Sequence, residues 1–287
     1  MIIVAAGGRR RPLALAVALA LSLVLVACSN QTAPSPSPTT TPSATPAAPT
    51  ATASPSPSPS ASPSPTPTPT AIPTPTATAP AADPPKCRYD DVATTFGSTD
   101  DWQRTLLDTI YRIPAKYAPT DLVSTGGAGI SGGGSVRSFV IADLKAMTAA
   151  AKSAGASIRV RSAYRSYATQ VTTFNYWVSQ SGYTAALKVA ARPGHSEHQL
   201  GTTIDFGSAA GAAPWNYADW ATSKAGAWMK ANAWRYGFVM SYPKGKTSST
   251  CYSYEPWHYR YWGVAIAKFI HDSGLVPRVW LWRTSDQ

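Results

Sequence analysis

Three of the chain's four histidines sit in two short runs, Arg192-Pro-Gly-His-Ser-Glu-His-Gln-Leu-Gly-Thr-Thr-Ile-Asp-Phe-Gly207 and Glu255-Pro-Trp-His258. In the first run His198 and Asp205 lie on either side of Gly201, with His195, Ser196 and Glu197 close by. A neutral imidazole and a carboxylate are ordinary zinc ligands. Their odd spacing would point them to opposite faces of an unbroken strand, so a bend at Gly201 is required if both are to meet one ion. His258 would complete three protein ligands and leave a fourth position for water, which separates a catalytic zinc from a structural one. Glu255, across Pro256 from His258, is placed to take a proton from water and later deliver it to a leaving amine. Arg165 has the planar fork that suits a developing oxyanion or a substrate carboxylate. This is the chemistry of metal-assisted amide hydrolysis.

The neighbouring residues have plainer expected roles. His195 reads as a loop residue or a partner outside the ligand set, and Glu197 as a solvated or hydrogen-bonded carboxylate. His271 reads as surface, and Trp257 as packing behind the site. Asp219 and Asp143 read as helix caps or faces.

These residues need elements to hold them. Trp102, Leu106 and Ile110 recur at helical spacing and predict a helix over residues 101–113. The glycine-rich stretch 126–134 lacks the spacing and the lysine of a phosphate loop and reads as a connection. A helix over 139–154 is expected to stop at Gly155. Alternation over 158–164 predicts a strand running straight into Arg165. Ser166 would cap a helix to about residue 179, with Gln170 in its first turn beside Arg165. A short helix over 184–191, a strand over 202–206 and a long helix over 219–236 burying Trp220, Trp228 and Ala231 follow. A strand over 238–241, a turn over 242–246, a strand region over 252–259 broken at Pro256, and a last helix over 264–272 complete the pattern. Without regular βαβ alternation, this is an α+β fold with a small antiparallel sheet flanked by helices.

The first third of the chain is of a different kind. Arg9, Arg10 and Arg11 precede an apolar run over 13–26 that is shorter than the ~20 residues needed to span a bilayer. It ends in Leu25-Val26-Ala27-Cys28, which resembles a bacterial lipobox, with Cys28 the lipidated residue. Residues 1–28 therefore read as a lipoprotein signal and 29–86 as a tether rich in Pro, Ser, Thr and Ala that cannot bury enough apolar surface to fold. Its Ser-Pro and Thr-Pro pairs favour polyproline II, and ~55 such residues reach on the order of 170 Å. Residues 87–287 are the expected folded domain. Cys87 and Cys251 remain as a candidate disulfide in an oxidising compartment. The formal charge is +11, from 25 basic and 14 acidic residues. Without the three signal arginines, 22 basic against 14 acidic residues leave +8. That balance suits an anionic wall polymer or lipid headgroups, and no run of Lys and Arg interleaved with aromatics argues for nucleic acid.

Three motifs now resemble a known family. Ser162-Ala-Tyr-Arg-Ser-Tyr-Ala-Thr-Gln170, Ser196-Glu-His-Gln-Leu-Gly-Thr-Thr-Ile-Asp205, and Tyr242-Pro-Lys-Gly-Lys246 followed by Tyr254-Glu-Pro-Trp-His-Tyr-Arg-Tyr261 are similar to those of the VanY-type zinc D-alanyl-D-alanine carboxypeptidases. The resemblance covers about half of the folded region. It implies the α+β fold shared with the hedgehog signalling domain and one zinc held by His198, Asp205 and His258. It also implies Glu255 as general base, Arg165 as transition-state stabiliser, and Arg165, Gln170 and Ser196 beside the substrate. Thr203 stands where the family often has alanine, and Ala163 where it has glycine. The expected substrate is a peptidoglycan stem peptide that loses its terminal D-alanine, with a lipid-anchored enzyme facing the wall. An L,D-carboxypeptidase or an endopeptidase on the same scaffold, and a non-catalytic wall-binding lipoprotein, are the alternatives. The intact Glu255 argues against the last of these, since a binding module needs no base.

Overall fold

The computed structural model describes residues 83–94 and 100–284. The lipobox and most of the tether lie outside these residues. The elements run β1 (Val92–Ala93), β2 (Tyr111–Arg112), β3 (Leu122–Ser124), β4 (Ser135–Arg137), α1 (Ile141–Ser153), β5 (Ile158–Ser162), α2 (Tyr167–Ser181), α3 (Tyr183–Val189), β6 (Thr203–Ser208), α4 (Lys224–Asn232), β7 (Phe238–Met240), α5 (Thr247–Thr250), β8 (His258–Tyr261), α6 (Val264–Ser273) and α7 (Pro277–Thr284).

The central sheet has four antiparallel strands in the order β5-β6-β8-β7. Its two middle strands are buried along almost their whole length, and their side chains divide by face. Ile204, Phe206, Tyr259 and Tyr261 join the main core, which packs Leu144, Met147 and Ala151 of α1 and Ala225 and Met229 of α4. Alternation sends Thr203, Asp205, His258 and Arg260 to the other face. Each large apolar side chain buried on the first face contributes about 1.5–3 kcal/mol. That packing fixes the register, and the register fixes which polar groups meet on the second face.

Three expectations fail for physical reasons. Residues 101–113 are not a helix. Asp108 Oδ1 accepts the backbone N–H groups of Ile110 (2.7 Å) and Tyr111 (2.8 Å), which turns the chain into β2. The apolar residues there also face different cores: Leu106 packs with Trp262, Ile270 and Leu281, whereas Leu107 and Ile113 pack with Tyr117 and Leu200. The long helix over 219–236 is three pieces, because Asp219 caps a 3-10 turn at Ala221 and Ser223 caps α4 at Gly226. Trp220 and Met229 are buried, Trp228 is half-buried and Ala231 is exposed. The strand region over 252–259 is a loop up to Trp257, with β8 starting only after Pro256. The glycine-rich stretch holds a 3-10 turn and leads into β4, which pairs with β3. The tryptophan-rich residues after α6 form α7.

The N-terminal segment is strapped to the domain. Cys87 and Cys251 form a disulfide with a Cα–Cα distance of 5.2 Å. Arg278 donates to the buried Asp108 carboxylate (2.6 Å) and to the Pro85 carbonyl (3.0 Å), and Arg283 pairs with Asp83. Among the described residues no helix is long and apolar enough to cross a membrane.

Candidate metal centre and cleft

Asp205 and His258 are directly opposite one another on β6 and β8. Cross-strand neighbours on one face lie within side-chain reach. His258 Nδ1 is 3.2 Å from Asp205 Oδ1. His198 arrives from a 3-10 turn, Glu197–Leu200, that ends at Gly201. Gly201 has φ of 73°, in the left-handed region that favours glycine, and a Cβ there would crowd Leu122, Arg137 and Pro119 at 3.0–3.2 Å. The expected bend is real, and it brings His198 Nε2 to 3.2 Å from Asp205 Oδ2. One donor atom from each of His198, Asp205 and His258 lies within 4.8 Å of the other two, and all three residues are buried.

The ring orientations follow from their outer partners. His198 Nδ1 sits 2.8 Å from the Ala163 carbonyl, which can only accept, so Nδ1 carries the proton and Nε2 offers its lone pair inward. His258 is turned the other way. Its Nε2 lies 3.0 Å from Glu197 Oε2, leaving Nδ1 inward. Glu197 is itself buried, accepting from Ser241 Oγ (2.6 Å) and Arg260 Nη1 (3.1 Å). Asp205 Oδ1 is buried without a hydrogen-bond donor despite its closeness to His258. Two inward lone pairs and an unsatisfied carboxylate oxygen form a donor set suited to a small divalent cation.

Charge follows the same geometry. Burial penalises the Asp205 carboxylate, but His198 and His258 hold its pKa well below the usual range. Burial likewise opposes ionisation of Glu197, yet the hydrogen bond from His258 and the charge of Arg260 hold it at about 2. Burial lowers His198. Burial opposes a proton on His258, yet without a metal the surrounding carboxylates of Asp205, Glu197 and Glu255 push it up to about 10.

Glu255 comes from the loop before β8. Its backbone N–H is held by the Tyr242 carbonyl (3.1 Å), and its Oε2 lies 3.5 Å from His258 Nδ1. Desolvation pushes its carboxyl up to about 7, with His258 and Arg165 opposing and Asp205 and Glu197 adding to the shift. Arg165 follows β5 and faces the same space, with Nη2 3.9 Å from Asp205 Oδ2. Its Nη2 donates to Ser162 Oγ (3.0 Å) and its Nη1 to Gln170 Oε1 (2.8 Å).

Ser196, Arg165 and Glu255 line a cleft of about 650 Å³ together with the three metal-facing residues. Gln170, expected beside the substrate, does not line it. It is buried under Arg165 and donates to the Ala191 carbonyl (2.6 Å), so it orients the arginine instead. Trp257, expected behind the site, packs on the core and also faces the cleft beside Trp215. Tyr176 and Trp177 of α2 also line the cleft. His195 is buried away from the cluster, and His271 is on the surface, stacked on Trp234. Asp143 accepts from Tyr261, and Asp219 from Tyr254 and Lys244. Glu197 is the hydrogen-bonded carboxylate of the two expected alternatives, and its partners Ser241 and Arg260 are residues near the centre that the sequence did not disclose.

Residues 134–264, which contain every residue of this centre, match the family model VanY, D-alanyl-D-alanine carboxypeptidase. The solved structure of the LdcB LD-carboxypeptidase is 31% identical, with 67% of this chain and 95% of that chain covered at a TM-score of 0.57. The chain belongs to the VanY-type carboxypeptidase family. A vancomycin-resistance D,D-pentapeptidase VanY in complex with Zn(II) is 29% identical, with 63% of this chain and 99% of that chain covered at a TM-score of 0.53. The Bacillus subtilis protein YodJ is 39% identical over 175 residues, 59% of this chain and 63% of that protein. A D-alanyl-D-alanine carboxypeptidase of Enterococcus faecalis is 31% identical over 188 residues, 62% of this chain and 65% of that enzyme. The chain thus spans slightly less than two thirds of the length of these curated relatives.

Proposed function

We propose that the protein is a zinc-dependent carboxypeptidase that removes the C-terminal D-alanine from peptidoglycan stem peptides. The observation that carries this reading is the convergence of the His198, Asp205 and His258 donor atoms within 4.8 Å in the lining of a cleft. Zinc binding by the VanY homologue and the family's activity support it. When bound, zinc supplies Lewis-acid polarisation of a carbonyl and lowers the pKa of water.

The chain's own residues do the rest. Glu255 takes the proton from the attacking water and returns it to the nitrogen of the departing D-alanine. Arg165, fixed by Ser162 and Gln170, meets the negative oxygen of the substrate at low rotational cost. Ser196 contributes a hydroxyl to the cleft lining. Tyr176, Trp177, Trp215 and Trp257 offer aromatic faces along the cleft on which the peptide can pack.

A second reading, L,D-carboxypeptidase, is favoured by the match to LdcB. Mass spectrometry of products from stem tetrapeptide and pentapeptide separates the two. Conversion of pentapeptide to tetrapeptide with release of one D-alanine supports the first. Trimming of the tetrapeptide alone overturns it in favour of the second.

The lipobox around Cys28 and the basic charge of the mature chain support a further part of the proposal. The enzyme is anchored by lipid at Cys28, outside the cytoplasm, on a tether that lets it reach the wall and its anionic polymers. A Cys28→Ser variant is then recovered away from the membrane fraction, and one that stays in it contradicts the anchor.

A further inference from the structure

His198 and His258 present opposite ring nitrogens to the same centre. For His198 the choice is settled by a backbone carbonyl. For His258 the outward nitrogen meets Glu197, which is 5% exposed and three-fold hydrogen-bonded. We propose that Glu197 is the positioning residue of the metal centre: it holds the His258 proton on Nε2, so that Nδ1 keeps its lone pair towards Asp205 and Glu255. This rests on the zinc reading above.

The network around Glu197 has no simpler purpose. Its Oε1 is taken by Arg260 Nη1, and Arg260 Nη2 is spent on the backbone carbonyls of Trp102 and Thr105 (3.0 Å for the latter). Arg260 also lies over the Trp262 ring at 4.0 Å. A buried ion pair of this kind adds little net stability over apolar residues of the same volume. What it fixes is direction. Ser241 on the strap after β7, Glu197 on the 3-10 turn and Arg260 on β8 triangulate one carboxylate oxygen onto the His258 ring. Carboxylates behind a metal-binding histidine fix its tautomer and raise its basicity.

The arrangement makes Glu197→Gln informative. If the amide oxygen faces His258, the amide N–H₂ faces the Arg260 guanidinium, donor against donor. If the amide is flipped, its N–H₂ faces His258 Nε2 and drives the proton to Nδ1, where it blocks the metal. Either way the centre is disturbed at nearly constant volume.

The test is zinc affinity of the purified protein by competition with a chromogenic chelator, alongside imidazole ¹⁵N shifts of the zinc-loaded protein. The expected result is a zinc Kd about 10–100-fold weaker in Glu197→Gln, with the metal-free variant still folded by circular dichroism. In the wild type His258 carries its proton on Nε2. A folded Glu197→Gln whose Kd stays within about threefold of wild type, or a wild type with the His258 metal on Nε2, overturns the inference. If Glu197→Gln does not fold, Ser241→Ala replaces it, since only the hydroxyl that orients Glu197 is then lost. A measurably weaker Kd supports the assignment and an unchanged one overturns it. A wild type that binds no zinc defeats the proposed function itself, whereas zinc bound equally well by wild type and variant defeats only this inference.

Discussion

His195 and His198 lie three residues apart, the first just before the 3-10 turn and the second on it, and are held in nearly the same way. Each is buried. His195 has Nδ1 2.8 Å from the Asp108 carbonyl and Nε2 3.0 Å from Asp91 Oδ1. His198 has Nδ1 2.8 Å from the Ala163 carbonyl and Nε2 3.2 Å from Asp205 Oδ2. The difference is in what else arrives. Asp91 is largely exposed and is shared with Arg192, so its charge is already met by cations. Asp205 is buried and faces a second imidazole, with one oxygen lacking a donor. A histidine–aspartate pair is thus a clasp on one side of the turn and part of a metal centre on the other. Convergence from β6, β8 and the 3-10 turn makes the site, and no single pair does.

The largest expected break in this comparison is His198→Ala. Zinc binding is lost and D-alanine release falls by more than the hundredfold upper figure of about 10–100-fold for losing an outer partner. His195→Ala keeps zinc and turnover but costs about 1–3 kcal/mol in denaturant unfolding, since Asp91 and the Asp108 carbonyl lose their partner. Next comes Glu255→Gln, which separates binding from chemistry. Zinc content stays at the wild-type level while kcat drops about 10²–10⁴-fold.

The disulfide tests how far the two regions are coupled. Cys87 lies on the strap that carries Asp91, and Cys251 opens the loop that carries Glu255. Cys87→Ser paired with Cys251→Ser is expected to lower stability by about 2–5 kcal/mol, read from the shift of the unfolding midpoint. Zinc stoichiometry should survive, because none of the three metal-facing residues lies on either segment.

The smallest effect is on pH. Burial lowers the folded-state pKa of His195 below its ordinary 6.5. Between those values the unfolded chain binds the proton and the folded chain does not, so stability falls as pH drops below about 6.5. Unfolding midpoints measured above and below that value should show the decline in the wild type and a shallower one in His195→Gln. Equal slopes contradict the lowering of the His195 pKa by burial.

Much of the centre was legible before any geometry. His198, Asp205, His258 and Glu255 are chemically distinctive types, and the glycine between the first two announced its bend. Glu197 was legible as a hydrogen-bonded carboxylate, but its partners were not, because Ser241, Arg260 and His258 come to it only through the β8–β7 pairing. Gln170 was read from its nearness to Arg165 in sequence, which is right, but the helix turns it inward to the Ala191 carbonyl. The fold class and most elements follow from periodicity, while residues 101–113 show its limit. Trp102, Leu106 and Ile110 have helical spacing, yet Asp108 captures two backbone amides and the apolar residues feed separate cores. Ser223 inside the expected long helix marked a second cap that the apolar pattern concealed.

The most direct test is the zinc content of the purified wild type, His198→Ala, His258→Ala and His195→Ala proteins by metal analysis after exhaustive buffer exchange. One zinc per chain is expected in the wild type and in His195→Ala, and essentially none in the other two. A wild type without zinc, or a His198→Ala protein that keeps its zinc while His195→Ala loses it, would contradict the account.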